Sequence, residues 1–362
     1  MGILSAALKS RPASALASPH GVDRYLEQIH PMLTVERIHA RVVAVSAESD
    51  TATTVVLRPN RAWRGFLAGQ HVEFGVEVDG RRRVRVFSMS DSALRRDGLI
   101  SVSVKAHPDG FVSQFLRDGL QPGTIVDLSE AKGDFVLPKA PPTHLLFLSG
   151  GSGITPVMSM LRTVRDLEAS TRVTFLHYAR SRADEMFSDE LDTLAALPNV
   201  SMQRVYTREP DGDATLTGRF TPDHLAALGI EPATTLTFAC GPAGLIESVR
   251  DLYETSGAAE QLRTEYFKVP SVDLEAGEAT GTLQFDRSGA EAENTGATIL
   301  EQAEAAGLEP AFGCRMGICG TCTVKKKSGA VRNVISGEVR ANTDEYIKPC
   351  ITSPVGDTCV DL

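Results

Sequence analysis

Long apolar runs are missing from this sequence. None of its 362 residues belongs to an uninterrupted apolar stretch of about 18 or more, so we expect no integral membrane segment. The first residues do not form a secretory signal, because Lys9, Arg11 and Pro12 interrupt any apolar region. With 42% hydrophobic and 23% charged residues, the composition predicts a soluble, cytoplasmic protein of two or three globular domains.

Basic residues are scarce in one stretch before the cysteine-rich segment, and the net charge of the whole chain is −9. Residues 273–309 contain nine acids and a single base, Arg287. Because nucleic-acid binding depends on basic surface, this balance argues against a nucleic-acid partner. The acidic stretch predicts either docking to a basic protein or only a solvated face that keeps the protein soluble. In the second case, we expect docking to use apolar surface around Met316 and Ile318.

Cysteines are few, and the region that holds most of them contains no histidine. Three of the six cysteines lie in Phe-Gly-Cys-Arg-Met-Gly-Ile-Cys-Gly-Thr-Cys, residues 312–322, and Cys350 follows after 27 more residues. Zinc sites normally show paired Cys-x2-Cys or Cys/His ligands, whereas the nearest histidine, His224, is 90 residues before Cys314. The spacing Cys-x4-Cys-x2-Cys with a distant fourth cysteine is instead typical of a plant-type [2Fe-2S] site. It predicts four iron ligands, with zinc or a chance group of core cysteines as the alternatives: Cys314, Cys319, Cys322 and Cys350.

The flanks of the cysteine loop indicate a complete domain. Residues 281–286 alternate like a strand, residues 298–306 have helical spacing before Gly307, and residues 321–325 form another strand. This order resembles the β-grasp fold of plant-type ferredoxins, which implies a [2Fe-2S] ferredoxin domain over residues 281–362. Residues 271–280 are the predicted linker to it. Cys359 is left over, and we expect it to be a buried strand residue.

The segment 34–140 is rich in short β segments separated by Gly, Pro and Asp, which predicts an antiparallel β-barrel. The six predicted strands are residues 40–45, 53–57, 71–76, 83–88, 99–105 and 124–128. Residues 1–33 before it are predicted to be a loose extension with a short docking helix at 21–29.

Two short motifs in this segment resemble the flavin-binding motifs of the ferredoxin-NADP reductase superfamily: Arg85-Val-Phe87-Ser88 and Gly110-Phe-Val-Ser113. The resemblance implies that Arg85 binds phosphate, that Phe87 lies against the flavin ring and that Ser88 bonds near its N5. Because Gly110 and Ser113 complete a pyrophosphate turn at a helix N-terminus, we expect FAD, with FMN as the alternative. Lys105 and Val112 complete the predicted flavin-site residues.

Residues 141–270 predict a doubly wound α/β domain that binds NAD(P). An apolar strand at 144–148 leads into Ser-Gly150-Gly151-Ser-Gly153-Ile-Thr155-Pro156 and then an amphipathic helix. A strand, a glycine turn and a helix N-terminus together form a cradle for a dinucleotide pyrophosphate. The turn resembles the Gly-Gly-x-Gly-Ile-Thr-Pro element of the same superfamily, which implies that Thr155 and Pro156 lie at the nicotinamide.

Further nucleotide contacts are predicted where later strands end. Cys240-Gly241-Pro242 matches the Cys-Gly-Pro element of the superfamily, which implies that Cys240 lies beside the nicotinamide C4; its alternative is a buried small thiol. Arg180, Ser181 and Arg182 follow another strand and could bind a 2'-phosphate, which favours NADPH over NADH. Phe267 lies where related reductases place an aromatic residue near the flavin. The predicted catalytic residues are Ser88, Thr155 and Cys240.

The order of flavin barrel, nucleotide domain and ferredoxin resembles the phthalate-dioxygenase-reductase-like oxygenase reductases and the electron-transfer partners of bacterial acyl-CoA desaturases. It implies an enzyme that passes electrons singly from NADPH, through flavin and a [2Fe-2S] cluster, to an oxygenase-type acceptor. The expected acceptor is a membrane acyl-CoA desaturase, which would hold the protein peripherally at the membrane. The alternatives are a soluble ring-hydroxylating oxygenase or another monooxygenase, and a redox sensor or binding module.

Overall fold

The computed structural model describes residues 17–18, 20–78, 80–107, 110–168, 170–209, 216–267, 279–313, 315–317 and 319–362. The chain divides into two compact units, Met1–Glu265 and Tyr266–Leu362. The predicted flavin and nucleotide domains both belong to the first unit, and the ferredoxin domain belongs to the second. Among the described helices, none is long and apolar enough to span a bilayer.

A six-stranded antiparallel sheet forms the first part of unit one, in the order β4-β3-β6-β1-β2-β5. Its strands are β1 Ile38–Ser49, β2 Ala52–Pro59, β3 His71–Val78, β4 Arg81–Ser88, β5 Ile100–Lys105 and β6 Ile125–Leu128. The two edges meet where Met89, just after β4, bridges Val102 of β5, so the sheet closes as the predicted barrel. Helix α2, Phe111–Asp118, buries Val112 and Leu116 in the barrel core.

Helix α1, Val22–Ile29, precedes the barrel, where the sequence predicted a docking helix. The Asp23 carboxylate fastens it, because it accepts the backbone N–H groups of Val35, Glu36 and Arg37 at 2.6, 3.0 and 2.8 Å. One side of the helix is therefore fixed by charge-assisted hydrogen bonds. Tyr25 and Ile29 are 45% and 75% exposed.

The second part of unit one is a five-stranded sheet in the order β11-β10-β7-β8-β9, in which β10, β7, β8 and β9 are parallel. The strands are β7 His144–Gly150, β8 Arg172–Ala179, β9 Val200–Tyr206, β10 Leu236–Gly241 and β11 Leu262–Tyr266. The helices are α3 Ile154–Asp166, α4 Ser188–Ala195, α5 Pro222–Ala227 and α6 Ala243–Thr255. The strands β7, β8 and β10 are almost wholly buried, which explains their continuous apolar sequences.

The barrel and the parallel sheet are joined by helix α3. Arg162 of α3 donates to the Ser90 carbonyl at 2.5 Å, and Ser159 donates to the Asp91 carbonyl at 2.6 Å. Thr163 of the same helix accepts the backbone N–H of Ala93 at 3.0 Å. One polar face of α3 thus fixes the nucleotide-binding sheet to the loop after β4.

The second unit contains a mixed sheet in the order β13-β12-β17-β14-β15, with β16 also paired to β14. Its elements are β12 Thr282–Phe285, β13 Ala290–Glu293, α7 Ile299–Ala305, β14 Val324–Asn333, β15 Val339–Arg340, β16 Glu345–Ile347 and β17 Thr352–Val360. Strands β12 and β17 run parallel, and Ile299 and Ala303 of α7 pack on the apolar core of this sheet. Thr298 and Glu301 form a capping box that begins the helix.

Candidate functional site

Two predicted nucleotide motifs meet at the carboxyl ends of β7 and β10. Cys240 pairs with Ser149 across the two strands, so Cys240-Gly241-Pro242 lies beside the glycine turn. A Cβ atom on Gly153 would lie 2.2 Å from the Cys240 carbonyl oxygen, which only glycine avoids. The close approach of these two backbones forms a cradle of the kind that a dinucleotide pyrophosphate requires.

Helix α3 begins directly at this cradle. Gly151–Gly153 form a short 3-10 turn, and the Thr155 hydroxyl donates to the Ser152 carbonyl at 3.1 Å. Thr155 and Pro156 are buried in the first turn of the helix. The N-terminal N–H groups of a helix have no intrahelical partners, so they favour an anionic ligand there.

The two predicted arginines in the loop after β8 differ in their contacts. Arg180 is exposed, and the structure gives its side chain no partner among the described residues. Arg182 instead forms an ion pair with Asp192 at 3.3 Å. Arg208, which follows β9, donates its backbone N–H to the Arg180 carbonyl at 2.9 Å, so a third arginine lies at the same edge of the sheet.

Lys105, a predicted flavin-site residue, lies at the end of β5 and bonds to Asp184. Its Nζ is 2.6 Å from the Asp184 carboxylate and 2.9 Å from the Asp184 carbonyl, and both side chains are 18% exposed. Asp184 follows Ser181 and Arg182 in the same loop. Lys105 therefore fastens the loop after β8 to the barrel.

The predicted flavin residues lie along β4, which is an edge strand of the sheet order. Arg85 is opposite Phe74 and Phe87 is opposite Val72 in the pairing of β4 with β3. The Phe87 ring contacts Phe74 edge-on, with centroids 5.9 Å apart, and Ser88 is buried. The motif residues thus follow one strand, with Arg85 and Phe87 half-buried and able to contact a ligand.

The Gly110 turn immediately precedes helix α2. The Ser113 hydroxyl donates to the Gly110 carbonyl at 2.8 Å and accepts the His107 backbone N–H at 3.2 Å. The hydroxyl therefore shapes the turn, and Val112 is buried in the barrel core. Phosphate contacts at this turn would come from backbone N–H groups rather than from the Val112 side chain.

A buried contact between a histidine and an acid joins the barrel to the parallel sheet. His71 begins β3 directly opposite Ser88, and its Nδ1 is 3.5 Å from the Glu265 carboxylate of β11. Their side chains are 4% and 10% exposed. Burial raises the pKa of Glu265, and His71 opposes that rise. Burial and then the charge of Glu265 hold the pKa of the Cys240 thiol well above its ordinary value, so this thiol stays protonated near neutral pH.

In the second unit, two predicted iron ligands lie side by side. The Cys322 and Cys350 sulfurs are 3.3 Å apart, both residues are 4% exposed, and they pack with Leu300 and Ile351. Two sulfurs each about 2.3 Å from one tetrahedral metal ion would lie about 3.7 Å apart, so the pair fits shared ligation of one metal. Cys359 lies in the strand β17, as predicted, but it is half-buried rather than buried.

The loop before Cys322 brings backbone groups to these sulfurs. The Gly317 N–H donates to the Cys350 sulfur at 3.3 Å, and Gly317 has a φ of +73°. Cys319 is half-buried, with its sulfur beside Gly313. Cys314 lies outside the described residues, and within those residues no three His, Cys, Asp or Glu side chains are gathered closely enough to hold a metal ion. The donor set and the sulfur-directed N–H group nevertheless fit a [2Fe-2S] cluster.

Two cations lie in the cluster loop region. Arg315 pairs with Glu304 and stacks 4.0 Å over the Phe312 ring, and the Lys348 ammonium donates to the Gly317 carbonyl. Lys348 thereby connects the segment that carries Cys350 to the loop that carries the other cysteines. Met316 is only 9% exposed, because the loop folds it inward, so the prediction of an apolar docking surface around Met316 was wrong for that residue. Ile318 lies outside the described residues.

Several acids of the stretch 273–309 already form contacts within the protein. Asp286 pairs with Lys327, and Glu304 pairs with Arg315. Glu301 is committed to the capping box of α7. Glu293 and Glu309 are exposed, and the structure gives them no partner among the described residues. Acids 273, 275 and 278 lie outside the described part of the chain.

His71, Glu265 and Arg208 were not among the predicted site residues. Phe267, which was predicted, lies half-buried at the start of the second unit. Arg208 lies two residues after β9, so a prediction of that strand would have placed it near Arg180. No local pattern distinguishes His71 from an ordinary first residue of a strand.

Three protein families match the chain in succession. Residues 40–137 match the oxidoreductase FAD-binding domain, residues 147–251 the oxidoreductase NAD-binding domain, and residues 283–355 the 2Fe-2S iron-sulfur cluster binding domain. The chain therefore carries FAD, uses NAD(P)H and holds a [2Fe-2S] cluster.

Curated relatives match most of the length of the chain. An NADPH oxidoreductase of Mycobacterium tuberculosis is 36% identical over 97% of this chain and 91% of its own length. A glycine betaine monooxygenase reductase subunit of Pseudomonas aeruginosa is 32% identical over 82% of this chain and 87% of its own. The fold matches phthalate dioxygenase reductase with a TM-score of 0.59 and 21% identity, covering 93% of this chain and 99% of that one. The chain thus belongs to the family of modular NAD(P)H-dependent oxygenase reductases, in which FAD-binding, NAD-binding and [2Fe-2S] domains follow one another.

Proposed function

We propose that this reductase uses NADPH and delivers its electrons to a membrane acyl-CoA desaturase. The family function is the coarser statement: electrons pass from NAD(P)H through FAD and the [2Fe-2S] cluster to an oxygenase component. When bound, FAD takes two electrons together and releases them singly to a cluster that accepts one. Our proposal adds three details: which nucleotide the protein prefers, which residues lie at the site of hydride transfer and which protein accepts the electrons.

Ser88, Thr155 and Cys240 are our proposed residues at the site of hydride transfer. Cys240 is fully buried with a protonated thiol, so it packs against the nicotinamide position without adding charge and excludes water from it. Thr155 fixes the first turn of α3 at the cradle. We place the domain borders at residues 34–140 for the flavin barrel, 141–270 for the nucleotide domain, 271–280 for the linker and 281–362 for the ferredoxin domain.

The preference for NADPH rests on Arg180, with Arg208 beside it. A guanidinium that has no protein partner can form charge-assisted hydrogen bonds with a 2'-phosphate, which NADH lacks. Arg182 is less suited to bind the phosphate, because it already forms an ion pair with Asp192. The relative from Mycobacterium tuberculosis, whose name contains NADPH, supports the same preference.

The observation that carries the membrane acceptor is the apolar side of helix α1. Tyr25 and Ile29 are four residues apart on this helix and are 45% and 75% exposed, while Asp23 fastens the opposite side. Leu33, which follows the helix, is 49% exposed. Tyrosine and aliphatic side chains of this kind suit the interface of a bilayer. A soluble oxygenase is the second candidate, because the relatives' names include monooxygenase reductase subunits.

The test supplies the reductase and NADPH either to membranes that contain an acyl-CoA desaturase or to a soluble ring-hydroxylating oxygenase. We expect conversion of a saturated acyl-CoA in the first case, and we expect Ile29→Ser to weaken it without changing ferricyanide reduction. Gln28→Ser, an exposed polar neighbour on the same helix, is the control. Turnover only with the soluble oxygenase, insensitive to Ile29→Ser, would assign the chain to the second candidate.

A further inference from the structure

His71 and Glu265 leave several buried polar atoms unsatisfied in the first unit. Both His71 ring nitrogens and Glu265 Oε2 have no hydrogen-bond partner within the described residues. The nearest approach is the 3.5 Å contact of His71 Nδ1 with Glu265 Oε1, at the outer limit for a hydrogen bond. A buried polar group without a hydrogen-bond partner destabilises the folded state, so each such group in a native protein calls for an explanation.

The surroundings of the pair indicate that reason. His71 is directly opposite Ser88, and the side chains of opposite residues in an antiparallel pair project to the same face. Glu265 acts on the Cys240 thiol from the neighbouring strand of the parallel sheet. The pair thus links the strand beside Ser88 to the strand beside Cys240, the two residues that we place at the site of hydride transfer.

The backbone around Gly133 confines the His71 ring. Gly133 has a φ of +113°, and a Cβ atom there would lie 2.9 Å from His71 Cε1 and 3.0 Å from His71 Nδ1. The His71 backbone also exchanges hydrogen bonds with Lys132 at 3.0 and 2.9 Å. The Lys132 ammonium is directed to Glu73, 3.3 Å away. Only glycine therefore leaves room for the imidazole at this position, and the ionisable groups that the structure gives Glu265 within its described surroundings are His71 and Cys240.

We propose that His71 is a positioning residue for hydride transfer, which holds the Glu265 carboxylate ionised and oriented beside the nicotinamide site. The proposal rests on the proposed function, in which Ser88 and Cys240 flank that site. Loss of a hydride leaves positive charge on the nicotinamide ring, and a nearby fixed carboxylate stabilises that charge. Without His71, the buried Glu265 would take up a proton and lose this effect.

The first test is the pH profile of flavin reduction by saturating NADPH in the holoprotein, followed by stopped-flow absorbance. In His71→Gln we expect the acidic limb of the profile to move to higher pH by about one unit. At a fixed pH within the limb, the rate should then be about tenfold lower. Glu265→Gln should abolish the limb, and His71→Lys, which places a cation beside the carboxylate, should move the limb back to lower pH. His224→Gln removes a buried histidine that bonds Tyr178 instead, so it should leave the limb in place.

The second test measures the thermal midpoint without NADPH. Because burial raises the folded-state pKa of Glu265, the folded form binds its proton more tightly, and stability falls as pH rises above the ordinary value of 4.5. His71→Gln should deepen that fall, and its excess loss should disappear in the double variant with Glu265→Gln. NADP+ affinity should change less than about twofold, because the binding energy comes mainly from the phosphate contacts.

An unshifted limb in His71→Gln, or an excess loss of stability that persists in the double variant, would overturn the role of His71. Failure of the unmodified holoprotein to reduce its flavin with NADPH would instead overturn the proposed function.

Discussion

Replacing Arg180 by alanine tests the nucleotide preference at the residue that carries it. The Arg180 side chain is exposed and has no partner among the described residues, so its removal costs the free protein little. A hydrogen bond to a charged group contributes about 1.5–3 kcal/mol. We expect the lower end, about 1.5 kcal/mol, because the site remains open to water. At about 1.4 kcal/mol for each tenfold change, NADPH should bind about 10-fold more weakly.

The assay compares dissociation constants for NADP+ and NAD+ by calorimetry, and KM for NADPH and NADH in ferricyanide reduction. Only the phosphorylated nucleotides should weaken in Arg180→Ala. Arg182→Ala is the matched control, because Arg182 is in the same loop but paired with Asp192. This substitution should weaken the binding of the phosphorylated nucleotides less than Arg180→Ala does. An equal loss for both nucleotides in Arg180→Ala, or a selective loss only in Arg182→Ala, would refute the assignment.

Three further predictions follow from contacts in the two units. Cys350→Ser should remove the [2Fe-2S] absorbance but preserve NADPH-to-ferricyanide activity, because Cys350 belongs to the sulfur pair of the second unit; an intact cluster spectrum would contradict this. Gly153→Ala should cost about 1–3 kcal/mol and lower the thermal midpoint by several degrees, since its Cβ would lie 2.2 Å from the Cys240 carbonyl. Gly151→Ala, with nothing within 4 Å of the added Cβ but a φ of +54°, should cost less, and equal losses would count against the packing argument. Electron delivery to the acceptor, but not ferricyanide reduction, should slow as salt rises and in Glu293→Lys/Glu309→Lys; indifference to both changes would make the acidic stretch only solubilising.

The parts of this fold that depend on local pattern were predictable from the sequence. Six strands were expected in the barrel region, and six are found among its described residues. Each strand consists of residues that favour β structure and lies between turn-forming residues. The glycine turn between β7 and α3 was equally readable, since its residues are consecutive. Helix α7 was predicted to begin and end near Thr298 and Gly307, where the capping box and a positive φ are found.

Side-chain partners were not predictable in the same way. Lys105 pairs with Asp184, a residue 79 positions away whose surrounding sequence gives no sign of this contact. Within the acidic stretch, the capping box of α7 uses Glu301, and Arg315 pairs with Glu304. These contacts depend on tertiary folding, which brings together residues that are distant in the sequence.

Three contacts join the barrel and the parallel sheet within unit one. Lys105 of β5 binds Asp184, Arg162 of α3 donates to the Ser90 carbonyl, and His71 of β3 meets Glu265 of β11. Separating the two sheets would strip each of these largely buried groups of its partner, and water would have to replace every lost hydrogen bond. The site that we propose for hydride transfer therefore depends on the barrel and the sheet together, whereas the paired cysteines belong to a second unit with its own core. A truncation that ends after Glu265 keeps every one of these contacts, and one that ends between the barrel and β7 keeps none of them.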